Sequence, residues 1–374
     1  GSRLQGLIGA LGLGLSLHKG SRRTLPQRVR SILAKYGSNA HLYLPGVGVV
    51  SGFTAGNYQT STGTPAVVDQ PVGLDLDAAG SVGSELVTNG GFATDTAWTK
   101  GTNCTISGGK GNISAAPIGF VFVQSLGLQA GKTYRVTVTI ESISGQLYFY
   151  SSTAGYTGAI RTTAGTYTEF ITPTVGGNLV ISVPAITTAV IDNVSCVEVT
   201  GIHASQGTSG NRPVLRQSGG KYSWQFDGVQ HRLALGSVPF QMADDHCVVV
   251  GAKADEAGTS LTVFDIRSTS STNPIVCKVA LAFGAAAIQW RDDSGSTLIQ
   301  KSGGTYSAGE SLVITGRKTG NTKQSRKNSG AWDTDNTALG TTTVNSPTIG
   351  ATIHTSATQF MKGNIYAVIA IKGT

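Results

Sequence analysis

Charged side chains are scarce in this sequence: Asp, Glu, Lys and Arg make up 13 % of 374 residues, about half the usual share of a globular domain. That argues against a fold of long, ion-pair-laced helices. Cysteine is sparse too. Cys104, Cys196, Cys247 and Cys277 lie far apart, with no C-x-x-C pair and no histidine at ligand spacing, which argues against zinc. Disulfides are compatible with the pattern but not required, and buried free thiols are the simpler reading. No apolar run reaches the roughly 20 residues of a membrane-spanning helix. G-x-S-x-G, H-E-x-x-H and a Cys/His nucleophile pairing are missing as well.

Glycine is abundant, at 51 residues, and Ser and Thr occur in nearly every block of ten. Such a composition suits many short strands joined by tight turns, where Gly takes backbone angles other residues avoid. Enough aromatic and branched apolar residues remain to build cores, and the length suits two compact domains plus an extension.

The positive charge is concentrated at one end. Residues 1–45 hold Arg3, Lys19, Arg22, Arg23, Arg28, Arg30 and Lys35 and no acid, whereas residues 46–83 hold Asp69, Asp75 and Asp77 and no base. A basic arm therefore precedes a nearly neutral body, and the overall pI is no argument for nucleic acid. Within the arm, LQGLIGALGLGLSL (residues 4–17) alternates at its end through Leu13, Leu15 and Leu17. That pattern predicts an extended strand donated to a partner surface. TLPQRVRSILAKYG (24–37) predicts a short helix with Pro26 in its first turn and Gly37 at its end. Val29, Ile32, Leu33 and Tyr36 share its apolar face, which suits either a membrane surface or a protein partner.

Residues 46–83 show no helical period and read as a turn-rich linker. Asn57-Tyr58, Thr62-Gly63-Thr64-Pro65-Ala66 and Asp69-Gln70-Pro71-Val72-Gly73-Leu74 resemble a linker of tailed-bacteriophage virion proteins. There it joins an attachment segment to a carbohydrate-binding-like module. The stretch that follows, ELVTNGGF…AWTK (85–100), resembles the entry strand of galactose-binding-like β-sandwiches. Leu86 and Phe92 suit a core, Asn89-Gly90-Gly91 the turn between them, and Trp98 a place under one sheet with its indole N–H bonded at the edge. TYRVTVTI (133–140) puts Tyr134, Val136, Val138 and Ile140 on one face. GQLYFYSS sets Leu147 and Phe149 inward with Tyr148 and Tyr150 outward, or the reverse. By the same resemblance, Asp192 in the closing strand and Glu85 at the entry strand are candidates for a structural calcium, if they meet across adjacent strands. An ordinary pair of surface acids fits equally. GLQAGKT (127–133) reads as a hairpin turn and no phosphate loop, because its spacing is short and it leads into a strand instead of a helix.

Residues 201–374 open with KYSWQFDGVQHRLALG and close with FMKGNIYAVIAIKG. Phe226-Asp227-Gly228 and Gly363-Asn364-Ile365-Tyr366 resemble the two ends of the laminin-G-like, concanavalin-type jelly roll, whose last strand returns beside its first. CVVVGAKA, LTVFDIR, VCKVALAF, AAIQWRD and SLVITGRK read as five more strands. Near the end of this module Arg317, Lys318, Lys323, Arg326 and Lys327 form a basic stretch without an acid. They are read as a solvated hairpin or as contacts to an anionic surface. No aromatics are interleaved to stack on bases, which argues against single-stranded nucleic acid.

Asp244-Asp245-His246 and Asp292-Asp293 invite a glycosidase reading. Neighbours on a strand point to opposite faces, however, so each doublet offers one carboxylate per face. Sugar binding without cleavage fits better, with Tyr148, Tyr150 and Tyr156 as candidate stacking residues. The expectation is an all-β, non-enzymatic chain of two tandem β-sandwiches: an anchoring arm (1–45), a linker (46–83), a carbohydrate-binding-module-like sandwich (84–200) and a jelly roll (201–374). The resemblance implies a phage virion, with tail fibre, neck fibre and capsid decoration all open. It further implies attachment to other virion proteins through the arm, a homo-oligomer (a trimer by analogy with fibres) and host surface polysaccharide as ligand. No cofactor is expected other than, at most, structural calcium. The rivals are a cement protein with no glycan ligand and a secreted bacterial lectin or glycan-active protein.

Overall fold

The computed structural model describes residues 35–46, 56–61, 63–151, 156–270, 274–282, 284–292, 298–354 and 356–373. The chain is all-β, in two compact units, and these are nested instead of tandem. One unit comprises 1–60, 65–80 and 201–374; the other, 61–64 and 81–200, is inserted within it. Of the anchoring residues read from the sequence, Leu13, Leu15, Leu17, Val29, Ile32 and Leu33 lie outside the described residues. Tyr36 ends a helical turn and packs beside Ala40, Leu42 and Leu44.

The inserted unit is a sandwich of two antiparallel sheets. One runs Tyr156–Thr157, Tyr148–Ser151, Gly177–Val183, Gly119–Leu128, Thr99–Lys100; the other runs Gly165–Ile171, Thr133–Ser144, Thr187–Val199, Lys110–Ala116, Cys104–Ser107, with Val82–Glu85 also against Thr187–Val199. The alternation in 133–140 appears as read, with Tyr134, Val136, Val138 and Ile140 all in the core. At the entry, Val87 and Phe92 are buried, and Leu86 packs at the core's margin. Trp98 stacks on Phe92 (centroids 5.4 Å apart) and meets Phe122 edge-on at 6.2 Å. Its indole N–H donates to the Asn89 carbonyl at 3.1 Å. Gly90 is required here, because a Cβ would stand 2.0 Å from the Val194 carbonyl oxygen that crosses it. The segment 127–133 is no hairpin turn either: it leaves one sheet at Leu128 and enters the other at Thr133.

In the larger unit, an eight-stranded and a nine-stranded antiparallel sheet enclose a core that includes Trp224, Phe226, Phe240, Phe264 and Trp290. The last strand, Lys362–Lys372, does return beside Lys221–Asp227, with Phe226 opposite Gly363. Its other half pairs with Ala40–Tyr43, so the end of the supposed arm is a buried strand of this sheet. The linker reading of 46–83 is corrected likewise. Gly56–Tyr58 and Leu74–Leu76 are strands of the nine-stranded sheet, and Asn57, Asp75 and Asp77 are buried in it. Residues that read as turn formers are buried polar groups with partners: the Asn57 amide donates to Asp75 and accepts from the Trp224 indole at 3.1 Å. All four cysteines are buried free thiols.

Asp227 closes the Phe-Asp-Gly turn by accepting the backbone N–H groups of Val229, Gln230 and His231 at 2.9–3.0 Å. Burial pushes its pKa up, but these hydrogen bonds outweigh it and hold the carboxyl below the usual value. Asp227→Ala is expected to cost the larger unit about 1–3 kcal/mol through the orphaned N–H groups, measured by urea denaturation at neutral pH.

Candidate functional site

In the strand Tyr148–Ser151, Leu147 and Phe149 join the core, so Tyr148 and Tyr150 take the outer face, half-buried. Their rings stack with centroids 5.7 Å apart and planes inclined by 26°, the offset arrangement aromatic pairs favour. Burial pushes the Tyr150 phenol up, and Tyr148 adds to the effect, so the hydroxyl is kept as a neutral donor. Register extends the face across the sheet: Tyr148 opposes Ser182, which opposes Phe120, and Tyr150 opposes Val180, which opposes Val123. Phe120 is 45 % exposed and Ile118, beside it in the chain, 74 %. Ser182 Oγ donates to the Gly119 carbonyl at 2.7 Å and ties that corner down. Phe120 was not read from the sequence, since only the register reveals that it shares a row with Tyr148. Tyr156 sits in the adjacent short strand with its backbone opposite Ser151, and its side chain lies outside the described residues.

The calcium pair does not form. Val82–Glu85 does lie against Thr187–Val199, but Glu85 is opposite Val197, five residues along from Asp192. Glu85 accepts the N–H groups of Val87 and Cys196 (2.9 and 2.8 Å), and Asp192 is already paired with Lys110 Nζ at 2.6 Å. With a lysine ammonium on one carboxylate and backbone donors on the other, the two residues do not fit a shared cation.

The basic stretch is not a solvated five-charge hairpin. Lys318, Lys323 and Arg326 are buried. Lys318 Nζ reaches the carbonyls of Ala243 and Asp244 at 3.4 and 3.3 Å; Lys323 Nζ reaches the Asn321 carbonyl at 2.8 Å and Asp335 at 3.6 Å; Lys327 pairs with Glu310 at 2.9 Å. Arg317 and Arg326 instead lie over the ring of Trp332, at 4.6 and 4.3 Å from its centroid. The acid doublets are spoken for too: Asp244 pairs with Lys372 at 3.1 Å and Asp245 accepts the Gly320 N–H at 2.8 Å. Asp293 lies outside the described residues. A cavity of about 430 Å³ in the larger unit is walled by Tyr58, Tyr222, Pro65, Val67 and Leu215. Asn57 also lines it, but its amide is engaged by Asp75, Trp224 and the Gly46 N–H.

No family model matches the chain, and no curated protein does. Among solved structures it is similar to the CBM40 module of the Ruminococcus gnavus IT-sialidase bound to α2,6-sialyllactose (10 % identity, TM-score 0.31, covering 34 % of this chain and 77 % of that one). The same module bound to α2,3-sialyllactose gives 10 % and 0.31, covering 34 % and 76 %. The CBM22-1–CBM22-2 tandem domain of Paenibacillus barcinonensis Xyn10C gives 12 % identity and a TM-score of 0.28, covering 78 % and 98 %. Likeness at this level bears on neither ligand nor activity. Among the described residues no helix is long and apolar enough to cross a membrane.

Proposed function

We propose that the protein is a non-enzymatic structural protein of a tailed-bacteriophage particle whose inserted sandwich adheres to host-surface glycan. The phage assignment rests on the sequence resemblance, and the adhesive role on the outward Tyr148–Tyr150 pair continued to Phe120. Sugar rings stack on exposed aromatic faces. The basic arm anchors the chain to other virion proteins, and assembly as a homo-oligomer, a trimer in the fibre analogy, multiplies weak glycan contacts. Because Ala40–Tyr43 belongs to a sheet, a truncation that tests the anchor should stop before Lys35. Such a chain is expected to fold but to be absent from purified particles.

The adhesive reading is tested with the intact chain on an array of bacterial surface polysaccharides. Saturable binding is expected on at least one, with Tyr148→Ala and Tyr150→Ala each weakening it about tenfold, the worth of one aromatic contact. Binding that is unchanged in the double variant overturns the tyrosine site. A second reading, cement without a glycan ligand, is favoured by the exposed Ile118, Ile160, Val175 and Ile186 of the same unit. It predicts that Ile118→Ser with Ile186→Ser weakens particle incorporation while glycan binding is nil from the start.

A further inference from the structure

Three of the five cations in the basic stretch have an acid partner within the fold; among the described residues neither arginine has one. On the eight-stranded sheet Arg317 lies opposite Cys247 and Gln324, and Arg326 lies opposite Thr315. Alternation along Ser311–Thr319 puts Thr315 and Arg317 on one face, so both guanidiniums, the Thr315 hydroxyl and the Cys247 thiol share it. Trp332, from the turn after Thr322–Lys327, covers both guanidiniums.

Arg326 is 4 % exposed, yet among the described residues its Nε and Nη2 have no hydrogen-bond partner; the buried Thr315 Oγ has none either. Arg317 spends its Nε on Gln324 at 2.6 Å. Among the described residues no carboxylate pairs with either arginine, and residues 1–34 contain no acid at all. Burial and the neighbouring Arg317 both lower the Arg326 pKa, as expected for a cation short of a counter-charge. A buried, unpaired charge costs several kcal/mol, and contact with an indole returns on the order of 2 kcal/mol of that. Nε and Nη2 form the edge of a guanidinium that donates to both oxygens of a carboxylate side by side.

We propose that Arg326 and Arg317, with Thr315 and Trp332, form a binding site for a carboxylate, which, resting on the glycan-adhesion reading above, is the uronic acid of an acidic glycan. Arg326 supplies the two-pronged contact, Thr315 a third polar group and Arg317 the second positive charge. Half-exposed Arg317 and Trp332 are the side from which the ligand enters. The site lies in the larger unit and the tyrosine face in the inserted one.

The test titrates sodium glucuronate into the intact chain at fixed ionic strength, following tryptophan fluorescence and the melting temperature, with glucose as the uncharged control. Trp332 is the partly exposed tryptophan; Trp98, Trp224 and Trp290 are buried. The expected result is a saturable fluorescence change and a raised melting temperature with glucuronate and neither with glucose. Arg326→Lys, which keeps the charge but loses the fork, should weaken binding about tenfold, and Arg317→Gln should weaken it several-fold. Trp332→Phe should remove the fluorescence change and keep the thermal effect. Glucuronate binding tighter than acetate supports the sugar acid; equal affinities support the carboxylate site and identify small carboxylates as its ligands. Absence of a saturable response to both, or a response unaltered in Arg326→Lys and Arg317→Gln alike, overturns the proposal.

Discussion

Replacing Asp77 by alanine should destabilise the larger unit by about 4 kcal/mol or more. Asp77 is fully buried, and its carboxylate is held by partners from three segments of the chain. Oδ1 accepts from Leu42 N–H at 2.9 Å and Ala79 N–H at 3.0 Å; Oδ2 accepts from Ile202 N–H at 3.1 Å and lies 2.7 Å from His41 Nδ1. Its own N–H donates to His203 Nδ1 at 3.1 Å. These partners come from the strand that enters the sheet, the chain just before it leaves for the inserted unit, and the chain just after it returns. Gly201 must be glycine to fit, since a Cβ there would stand 2.9 Å from that of Asp77. Alanine would strand the buried Leu42 N–H and the part-buried N–H groups of Ala79 and Ile202, each costing about 1–3 kcal/mol. For a unit of this size the melting temperature should fall by roughly 10 °C. Asn is the informative control: its carbonyl keeps the Leu42 and Ala79 bonds, but its NH₂ confronts the Ile202 N–H, so its loss should be intermediate. Hydrogen exchange should localise the effect, accelerating in Ala40–Tyr43 and Leu74–Leu76 while Thr133–Ser144 of the inserted unit stays protected. An alanine variant within about 1 kcal/mol of wild type would show that other contacts close the insertion point.

That insertion was not legible in the sequence, and Asp77 shows why. Leu74-Asp75-Leu76-Asp77 reads as part of a turn-rich linker, because so short a stretch shows no period and says nothing of whether its acids are covered. The groups that make burial tolerable, His41, His203 and the Ile202 N–H, are distant in sequence. Strands whose partners are local or strictly patterned were legible. Thr133–Ser144 alternates on its own, and Phe226-Asp227-Gly228 carries its turn in its composition. The all-β class followed from such stretches, while the nesting depended on contacts no periodicity reports.

The site was legible to the same degree. Tyr148 and Tyr150 could be named as a pair, but the choice of face belonged to Leu147 and Phe149, which the core claims. Phe120 reaches the same surface through two steps of strand register. In the basic stretch the five cations looked alike. Their fates diverged because the acids that neutralise three of them, Asp245, Glu310 and Asp335, come from neighbouring strands and loops. Among the described residues no acid arrives at Arg326.

Acid should weaken the larger unit in a window set by His246. Read first beside Asp244-Asp245 as part of a would-be catalytic group, His246 is a core residue: fully buried and stacked flat on Phe240 at 4.2 Å. Nδ1 lies 3.1 Å from the Asp244 carbonyl, which makes it the protonated nitrogen of the neutral ring, and buried Nε2 has no partner. Burial, reinforced by the charge of Lys318, pushes its pKa down to about 4; the Asp244 carbonyl and the Asp244 and Asp245 charges pull the other way and lose. A folded-state pKa below the unfolded value of about 6.5 means the native state binds fewer protons. Its contribution is therefore complete above pH 6.5 and is lost as pH falls from there through 4, to a total of about 3 kcal/mol. Asp244, whose pKa is lowered by the Gln241 N–H and Lys372 despite burial, loses its contribution only at lower pH, below the usual carboxylate value. The two windows are thus separable. Urea denaturation at pH 7 and at pH 4.5 should show the wild type losing about 2–3 kcal/mol more than His246→Leu, which has nothing to protonate at that position. Equal losses in the two proteins would mean that His246 is protonated without strain, and that the ring on Phe240 has access to solvent in the native state.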